Sequence, residues 1–275
     1  MTNGLTLRVV ETGPREGRPI FLLHGFPEFW WGWRHQLEPL AREGFRVNVP
    51  DQRGYNLSEK PQGVEAYTLD LLAGDILHLA DSRELSTFAV VGHDWGGIVG
   101  WHLASTRPDR VSRLVAINAP HPAVIRAYAR QHPGQMLRSA YAGFFRIPRL
   151  PEMVLRAGDF RLMKRAMRSS SRPGTFSEAD LDGYQSAWAE PGALTAMLNW
   201  YRALGSSPAR TARVAIPTQL IWGVQDRFLQ RGLAEASLAL CEHGRALWID
   251  DATHWVQHEE PDRVNAAMLA FLGER

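Results

Sequence analysis

The stretch that decides the fold of this chain is TFAVVGHDWGGIVGWHLAS, residues 87–105. Its first part, Thr87–Gly92, is apolar and rich in β-branched side chains, which predicts a buried strand. Ile98–Ser105 follows as a predicted helix. Glycines stand two residues before and two residues after Asp94, at Gly92 and Gly96. They permit a sharp turn that holds one side chain at the carboxyl edge of a sheet. We therefore expect Asp94 to stand at that edge.

Short apolar runs recur along the rest of the chain. Amphipathic stretches such as Leu69–Leu85 and Pro261–Leu272 lie between them. This alternation predicts an α/β fold with a mostly parallel central sheet flanked by helices on both faces. The other predicted strands are Thr6–Val10, Pro19–Leu23, Arg46–Pro50, Arg113–Ile117, Ile216–Trp222 and Ala246–Ile249.

The alternation of strands and helices stops between residues 122 and 213. That segment has the pattern of helices separated by Pro and Gly, and strand signals resume at Ile216. We therefore predict one α/β core, formed by residues 1–121 and 214–275, that carries residues 122–213 as an inserted helical cap.

The first half of the predicted cap is strongly basic. Between Arg126 and Arg172 it contains eleven Lys and Arg residues, opposed only by Glu152 and Asp159. Such a charge run is typical of a helical face in water. An alternative is attraction of an anionic substrate or partner.

Bulk composition excludes several classes of protein. With 275 residues and a net charge of +2, the chain does not have the basic excess of a nucleic-acid-binding protein. One cysteine, Cys241, allows no intrachain disulfide, which fits a reducing compartment. Arg8 and Glu11 interrupt the first apolar stretch, so we expect no signal peptide. No apolar run reaches about 18 residues, so we expect no membrane span and a cytoplasmic location.

The side chain at the sharp turn indicates the chemistry. An aspartate there can be a simple helix N-cap. As a nucleophile, its carboxylate would attack an electrophilic sp³ carbon and form an ester with the enzyme, and water would hydrolyse that ester in a second step. The oxyanion of that second step forms on the carbonyl of Asp94 itself.

Hydrolysis of the ester requires a base. Asp226 and His254 each follow a predicted late strand, in the chain order nucleophile, acid, histidine. His254 would take the proton from water while Asp226 orients the ring. The alternatives are His93 and His258 as the base. Asp250 and Asp251, on the same loop as His254, are the other candidates for the acid.

Backbone N–H groups would stabilise the oxyanion. One is expected from Trp95, next to the nucleophile, and one from Phe26 in the loop after the strand Pro19–Leu23. No histidine, cysteine or carboxylate cluster has metal-ligand spacing and there is no glycine-rich phosphate loop, so we expect neither metal nor cofactor.

With these residues in place, the chain resembles the epoxide hydrolase branch of the α/β-hydrolases over nearly its whole length. The combination of an aspartate nucleophile with its flanking motifs is specific to epoxide hydrolases and to haloalkane or haloacid dehalogenases. The motifs are His24-Gly25-Phe26-Pro27-Glu28, Asp51-Gln52-Arg53-Gly54, Gly92-His93-Asp94-Trp95-Gly96-Gly97, Asn199-Trp200-Tyr201-Arg202, and His254 ahead of Glu259 and Pro261.

The resemblance implies an α/β-hydrolase fold and two cap tyrosines that hydrogen-bond the epoxide oxygen. Tyr201 matches one of these tyrosines and Tyr141 looks like the other. A phenol with a pKa of about 10 can protonate an alkoxide, whereas a departing halide needs only hydrogen bonds. Either tyrosine can instead be an aromatic residue packed in the cap.

Dehalogenases of this group differ at a few positions. Some haloalkane dehalogenases use an Asn where this chain has Phe26, and others use a cap tryptophan, for which Trp188 and Trp200 are candidates. Fluoroacetate-type enzymes carry arginines near the turn, where this chain has Trp95, Gly97 and Ile98. A serine esterase is excluded by Asp94.

The function expected from the sequence is conversion of an epoxide to a vicinal diol. Dehalogenation by the same Asp94 is the first alternative, and a non-catalytic ligand-binding fold is the second. We expect a small apolar epoxide as substrate and a monomer or homodimer. The predicted substrate-binding residues are Phe26, Trp30, Trp95 and Phe144.

Overall fold

A single seven-stranded sheet forms the centre of the computed structural model, which describes residues 4–204 and 213–274. The strand order is β1-β3-β2-β4-β5-β6-β7, and every neighbouring pair is parallel except β1 with β3. The predicted α/β fold is therefore confirmed. The strands are β1 Val9–Thr12, β2 Arg18–Leu23, β3 Phe45–Pro50, β4 Phe88–His93, β5 Val111–Ile117, β6 Thr218–Gly223 and β7 Gly244–Ile249.

The edge strand β1 lies further along the chain than the prediction Thr6–Val10, which is wrong for residues 6–8. These residues bond to a loop instead of a neighbouring strand. The carbonyl of Thr6 accepts from the N–H of Glu59 (3.0 Å), and the N–H of Arg8 donates to the hydroxyl of Ser58 (2.9 Å). Because the loop after β3 uses these backbone groups, the antiparallel ladder begins only at β1.

Helices cover both faces of the sheet. Successive side chains of a strand point to opposite faces, so Ile20 and Leu22 of β2 belong to one buried cluster while Phe21 and Leu23 belong to the other. The helices are α1 Leu37–Arg42, α2 Leu69–Asp81, α3 Trp95–Thr106, α4 Pro122–Gln131, α5 Pro133–Arg138, α6 Ala140–Phe145, α7 Leu150–Ser170, α8 Glu178–Ala189, α9 Ala193–Ala203, α10 Arg231–Leu238, α11 Val256–Glu259 and α12 Pro261–Gly273, with 3₁₀ turns at Trp30–Trp33 and Glu65–Tyr67.

Helices α4–α9 lie between β5 and β6, and we refer to them as the inserted segment. The longest, α7, is broken by non-helical backbone at Ala157–Phe160. The division of the chain at residues 122 and 213 stays a prediction, and residues 205–212 lie outside the described part. Within residues 4–204 and 213–274, no helix is long and apolar enough to cross a membrane.

Tryptophan side chains attach the inserted segment to the loops at the sheet edge. The indole N–H of Trp188 in α8 donates to the carbonyl of Pro27 at 2.6 Å. The indole N–H of Trp200 in α9 donates to the carbonyl of Arg53 at 3.1 Å. Both indoles are buried, so these bonds fix α8 and α9 above the carboxyl ends of β2 and β3.

The turn between β4 and α3 is set by close backbone packing. Asp94 has a φ of 50°, an uncommon value for a residue with a side chain. A Cβ on Gly96 would lie 1.9 Å from the carbonyl oxygen of Leu23, and one on Gly92 would lie 2.3 Å from the carbonyl oxygen of Gly96. Only glycine therefore fits at residues 92 and 96, and α3 starts directly against β2.

We predict that Gly96→Ala lowers the free energy of unfolding by about 3 kcal/mol or more, because neither backbone can move without breaking the sheet. The control is Gly183→Ala in α8, where an added Cβ meets no heavy atom within 4 Å. That change should raise stability by up to about 1 kcal/mol. Urea denaturation measures both, and equal stability of the two variants would contradict the packing argument.

Candidate active site

Asp94 faces a cavity at the carboxyl edge of the sheet. Its side chain is only 16% exposed. The backbone N–H of Phe26, in the loop after β2, donates to Oδ1 of Asp94 at 2.9 Å. A Cβ on Gly25 would lie 2.4 Å from the Cβ of Asp94. The loop and the carboxylate are therefore in direct contact, which leaves Oδ2 as the oxygen that faces the cavity.

His254 and Asp226 form a hydrogen-bonded pair beside this carboxylate. Nδ1 of His254 donates to Oδ2 of Asp226 at 2.7 Å, and both side chains are buried. Nε2 of His254 lies 3.7 Å from Oδ2 of Asp94, beyond hydrogen-bonding distance. The structure thus brings together the three residues that the sequence places at the ends of β4, β6 and β7.

The Asp226 carboxylate is held by donors on both oxygens. The N–H groups of Phe228 and Leu229 donate to Oδ1 at 2.7 and 3.0 Å. The side-chain amide of Asn118 donates to Oδ2 at 2.7 Å. Sequence reasoning missed Asn118, although a polar residue directly after β5 marks the same sheet edge. These donors fix the carboxylate for its bond to His254.

The charge of the pair alters its proton affinity. Burial lowers the pKa of His254, but the adjacent Asp226 carboxylate more than offsets it, with a smaller contribution from Asp94, and the pKa rises to about 9. Burial raises the pKa of Asp226, and the charge and hydrogen bond of His254 bring it below the ordinary value. His254 therefore holds a proton near neutral pH.

The alternative bases are directed away from the cavity. The ring of His93 is hydrogen bonded to the carboxylate of Glu28 at 3.1 Å and to the carbonyl oxygen of His254 at 2.9 Å. His258 is bonded to the same carboxylate at 2.7 Å, and so is the hydroxyl of Tyr184 at 2.7 Å. This buried cluster around Glu28 was also missed, and it packs behind His254.

The alternative acids lie at the protein surface. The carboxylate of Asp251 pairs with Arg172 and Arg263 at 3.4 Å each. Asp250 is exposed, and its carbonyl accepts from the side chain of Gln225 at 3.0 Å. Neither carboxylate is bonded to His254 among the described contacts.

Tyr201 and Tyr141 reach the cavity from α9 and α6. Both line it together with Asp94 and His254, and their ring centroids are 6.1 Å apart. Burial and the nearby Asp94 carboxylate raise the pKa of the Tyr141 hydroxyl well above its ordinary value. Burial and the neighbouring Tyr141 and Asp94 do the same for Tyr201. Both hydroxyls therefore keep their protons in the cavity that Asp94 also lines.

The walls of the cavity are almost entirely apolar. Phe26 lines the cavity, and its role in binding substrate stays a prediction. Much of the remaining wall comes from α7, which the sequence analysis did not identify. The full lining is Phe26, Pro27, Asp94, Tyr141, Phe145, Leu155, Leu162, Met163, Ala166, Met167, Tyr201, Phe228 and His254. An apolar group attached to a reactive carbon fits such walls.

Three predicted contact residues lie outside this lining. Trp30 packs with Phe29 and Trp31 and contributes to the cluster on the opposite face of the sheet. Phe144 is directed away because neighbouring residues of a helix are about 100° apart, and Phe145 takes the inward position of α6.

Trp95, the third of these residues, packs its indole on Trp200 and Tyr201, behind the cavity wall. Its backbone remains in place for the predicted oxyanion role. Helix α3 begins at Trp95, so this N–H has no acceptor within the helix. The second predicted donor, the N–H of Phe26, already contacts the carboxylate.

Comparison with known proteins agrees with this architecture. The chain matches the family model described as alpha/beta hydrolase fold over residues 18–261. It is 47% identical over 273 residues to the AB hydrolase superfamily protein YfhM of Bacillus subtilis (strain 168), covering 98% of this chain and 96% of that protein. It is 39% identical over 280 residues to epoxide hydrolase 4 of Mus musculus, covering 99% and 77%.

A solved structure shows the same relationship. The crystal structure of Bacillus megaterium epoxide hydrolase in complex with an inhibitor matches with a TM-score of 0.92 at 30% identity, covering 100% of this chain and 99% of that one. The chain belongs to the α/β-hydrolase family. Within that family it falls in the group that contains the epoxide hydrolases, which confirms the resemblance seen in the sequence motifs.

We predict that Asp226→Asn lowers the pKa of His254 from about 9, because the carboxylate that raises it is gone while burial remains. Nuclear magnetic resonance titration of labelled histidine measures this value. In the parent protein, protonated His254 adds stability fully below about pH 6.5, and the gain is lost as pH rises through about 9. The Asp226→Asn variant should lack this loss of stability between about pH 6.5 and 9.

The control is Asp250→Asn, on an exposed part of the loop before His254. It should leave both the His254 titration and the pH dependence of stability unchanged. An unaltered His254 pKa in Asp226→Asn would refute the electrostatic account of the pair.

Proposed function

We propose that this protein is an epoxide hydrolase that converts an apolar epoxide to a vicinal diol. The observation that carries the proposal is the pair of protonated tyrosine hydroxyls across one apolar cavity from Asp94 and His254. An epoxide opens to a basic alkoxide, and these donors supply the proton. Relatives named as epoxide hydrolases support the same substrate class.

The first step forms an ester on Asp94. Oδ2 attacks one epoxide carbon, and the bond between that carbon and the epoxide oxygen breaks. The oxygen takes a proton from Tyr201 or Tyr141 as negative charge develops on it. The product of this step is a hydroxyalkyl ester of Asp94, with a tyrosinate beside it.

The second step hydrolyses that ester. Esterification removes the negative charge of Asp94, which contributes less than Asp226 to the raised pKa of His254. The protonated imidazole gives its proton to the tyrosinate, and the neutral ring is then the base of this step. His254 takes a proton from water, and the hydroxide adds to the carbonyl carbon of Asp94. The N–H groups of Phe26 and Trp95 stabilise the oxyanion. The tetrahedral intermediate then expels the diol alkoxide, which takes the proton from His254. The regenerated Asp94 carboxyl group passes its proton to His254, and this restores the resting site.

In this proposal the inserted segment, within residues 122–213, acts as a cap on the core formed by residues 1–121 and 214–275. It contributes both tyrosines and the apolar wall of α7. An apolar wall excludes water from the cavity during the first step, so the epoxide reacts with the Asp94 carboxylate and not directly with water.

The indole contacts of the inserted segment favour an epoxide over a halide. A haloalkane dehalogenase of the kind that uses a cap tryptophan needs an indole N–H free to bind the departing halide. Here the N–H of Trp188 donates to Pro27 and that of Trp200 donates to Arg53. Phe26, which offers no side-chain donor, occupies the position of the alternative Asn.

We predict that His254→Gln stops turnover after the first step and accumulates the ester. Intact-protein mass spectrometry after addition of styrene oxide should show the full mass of the epoxide added, because ring opening releases no atom. A trapped bromoalkane would add its mass less that of the lost hydrogen and bromide. The control is His243→Gln, an exposed histidine, which should turn over normally and show no adduct. Absence of any adduct would argue against the covalent route.

We predict that Tyr201→Phe with Tyr141→Phe lowers kcat/KM for epoxides by about 10²–10⁴-fold, the range of general acid catalysis. Any ester formation from a bromoalkane should change far less, since bromide needs no proton. Tyr128→Phe in α4, whose ring stacks on His132 outside the cavity, is the control. An equal loss with both substrates would contradict the assigned acid role.

A further inference from the structure

Exposed apolar side chains are concentrated in the inserted segment. Of the eight large apolar side chains that are strongly exposed in the described residues, seven lie between Met136 and Leu162. Met153 alone is 68% exposed. Leu150, Met153 and Val154 have the i, i+3, i+4 spacing that places them on one face of α7.

Basic side chains alternate with these apolar ones. Arg149, Arg156, Arg161 and Arg165 are exposed, and none has a carboxylate partner among the described ion pairs. The two acidic residues between Arg149 and Arg165 are engaged elsewhere, and the α8 carboxylates of Asp182 and Glu178 pair with Lys164 and Arg168. Glu152 pairs with Arg202 at 2.8 Å, and the Asp159 carboxylate accepts from the side chain of Gln185 at 2.5 Å. The surface therefore carries a net positive charge.

We name this surface the basic apolar face. Its members are exposed basic and apolar side chains that follow α6 or lie on the two helical parts of α7, before and after the break at Ala157–Phe160. They are Arg146, Ile147, Arg149, Leu150, Met153, Val154, Arg156, Arg161, Leu162 and Arg165.

The active-site cavity reaches this face. Leu162 is 46% exposed and also lines the cavity. Ala166, one helical turn later, is likewise exposed and likewise lines it. Arg161 and Arg165 lie on the same exposed side of α7 as these two residues. An apolar molecule held at the basic apolar face is therefore next to the route to Asp94.

We propose that the basic apolar face docks on the surface of a bilayer containing anionic phospholipid. Arginine guanidinium groups bind phosphate oxygens in a bidentate way. Interleaved Leu, Met and Val side chains can enter the boundary between headgroups and acyl chains. A second copy of this chain would bring the same positive charges together, which opposes self-association through this face.

Docking would supply an apolar epoxide dissolved in the bilayer directly to the cavity. This consequence rests on the proposed function, but docking itself does not. The two are separable because vesicle binding is measured without substrate, and turnover of a water-soluble epoxide is measured without vesicles.

The experiment is sedimentation with vesicles of phosphatidylcholine alone or with about 30% phosphatidylglycerol at low ionic strength. The protein should bind the anionic vesicles, and salt should weaken binding. Arg161→Gln with Arg165→Gln should lower the partition coefficient about 25-fold, since each basic group at such a surface contributes about fivefold. Met153→Ser should lower it at least about fourfold, the factor for one buried methylene.

Matched controls lie outside the inserted segment. Arg15→Gln with Arg42→Gln removes two exposed charges, and Leu57→Ser removes a side chain that is 54% exposed. These variants should bind like the parent protein, and all variants should keep turnover of the water-soluble epoxide. Any one of three results overturns the proposal: no binding to anionic vesicles, an equal loss of vesicle binding in the control variants, or a dimer that the Arg161 and Arg165 substitutions dissociate.

Discussion

The contact between the start of α3 and the end of β2 is the constraint on which the site depends. The backbone at Gly96 packs so closely on the Leu23 carbonyl that no side chain fits between them. The turn at Asp94 and the loop at Phe26 therefore lie against each other at the carboxyl edge of the sheet. That contact places a backbone donor 2.9 Å from the carboxylate. In the proposed function, any side chain at residue 96 would separate Asp94 from the backbone donor that would stabilise the charge formed on it.

Electrostatics then link the two chemical steps. His254 lies between the carboxylates of Asp226 and Asp94, which raise its pKa to about 9. In the proposed mechanism, ester formation neutralises Asp94 and lowers the pKa of His254, while the Asp226 carboxylate remains its main partner. In that mechanism the proton of His254 moves to the tyrosinate, so the imidazole would act as a base once there is an ester to hydrolyse. Apolar walls from α7 strengthen this coupling, because charges interact more strongly when water is excluded.

The sequence predicts the core of the molecule better than the inserted segment. Strand ends carry the reactive groups, so locating β4, β6 and β7 was enough to locate Asp94, Asp226 and His254. Asn118 and the Glu28 cluster were missed because their roles depend on partners far away in the chain. The apolar walls of α7, and the inward position of Phe145 instead of Phe144, depend on how the helices dock, which periodicity alone does not determine.

The most direct test of the central claim, nucleophilic attack by Asp94, is a single turnover in ¹⁸O-labelled water with enzyme in excess over epoxide. Our account predicts unlabelled oxygen in the newly formed diol and one labelled oxygen in the peptide that contains Asp94. That pattern arises because water attacks the Asp94 carbonyl and not the epoxide. Label found directly in the diol, with an unlabelled Asp94 peptide, would contradict it.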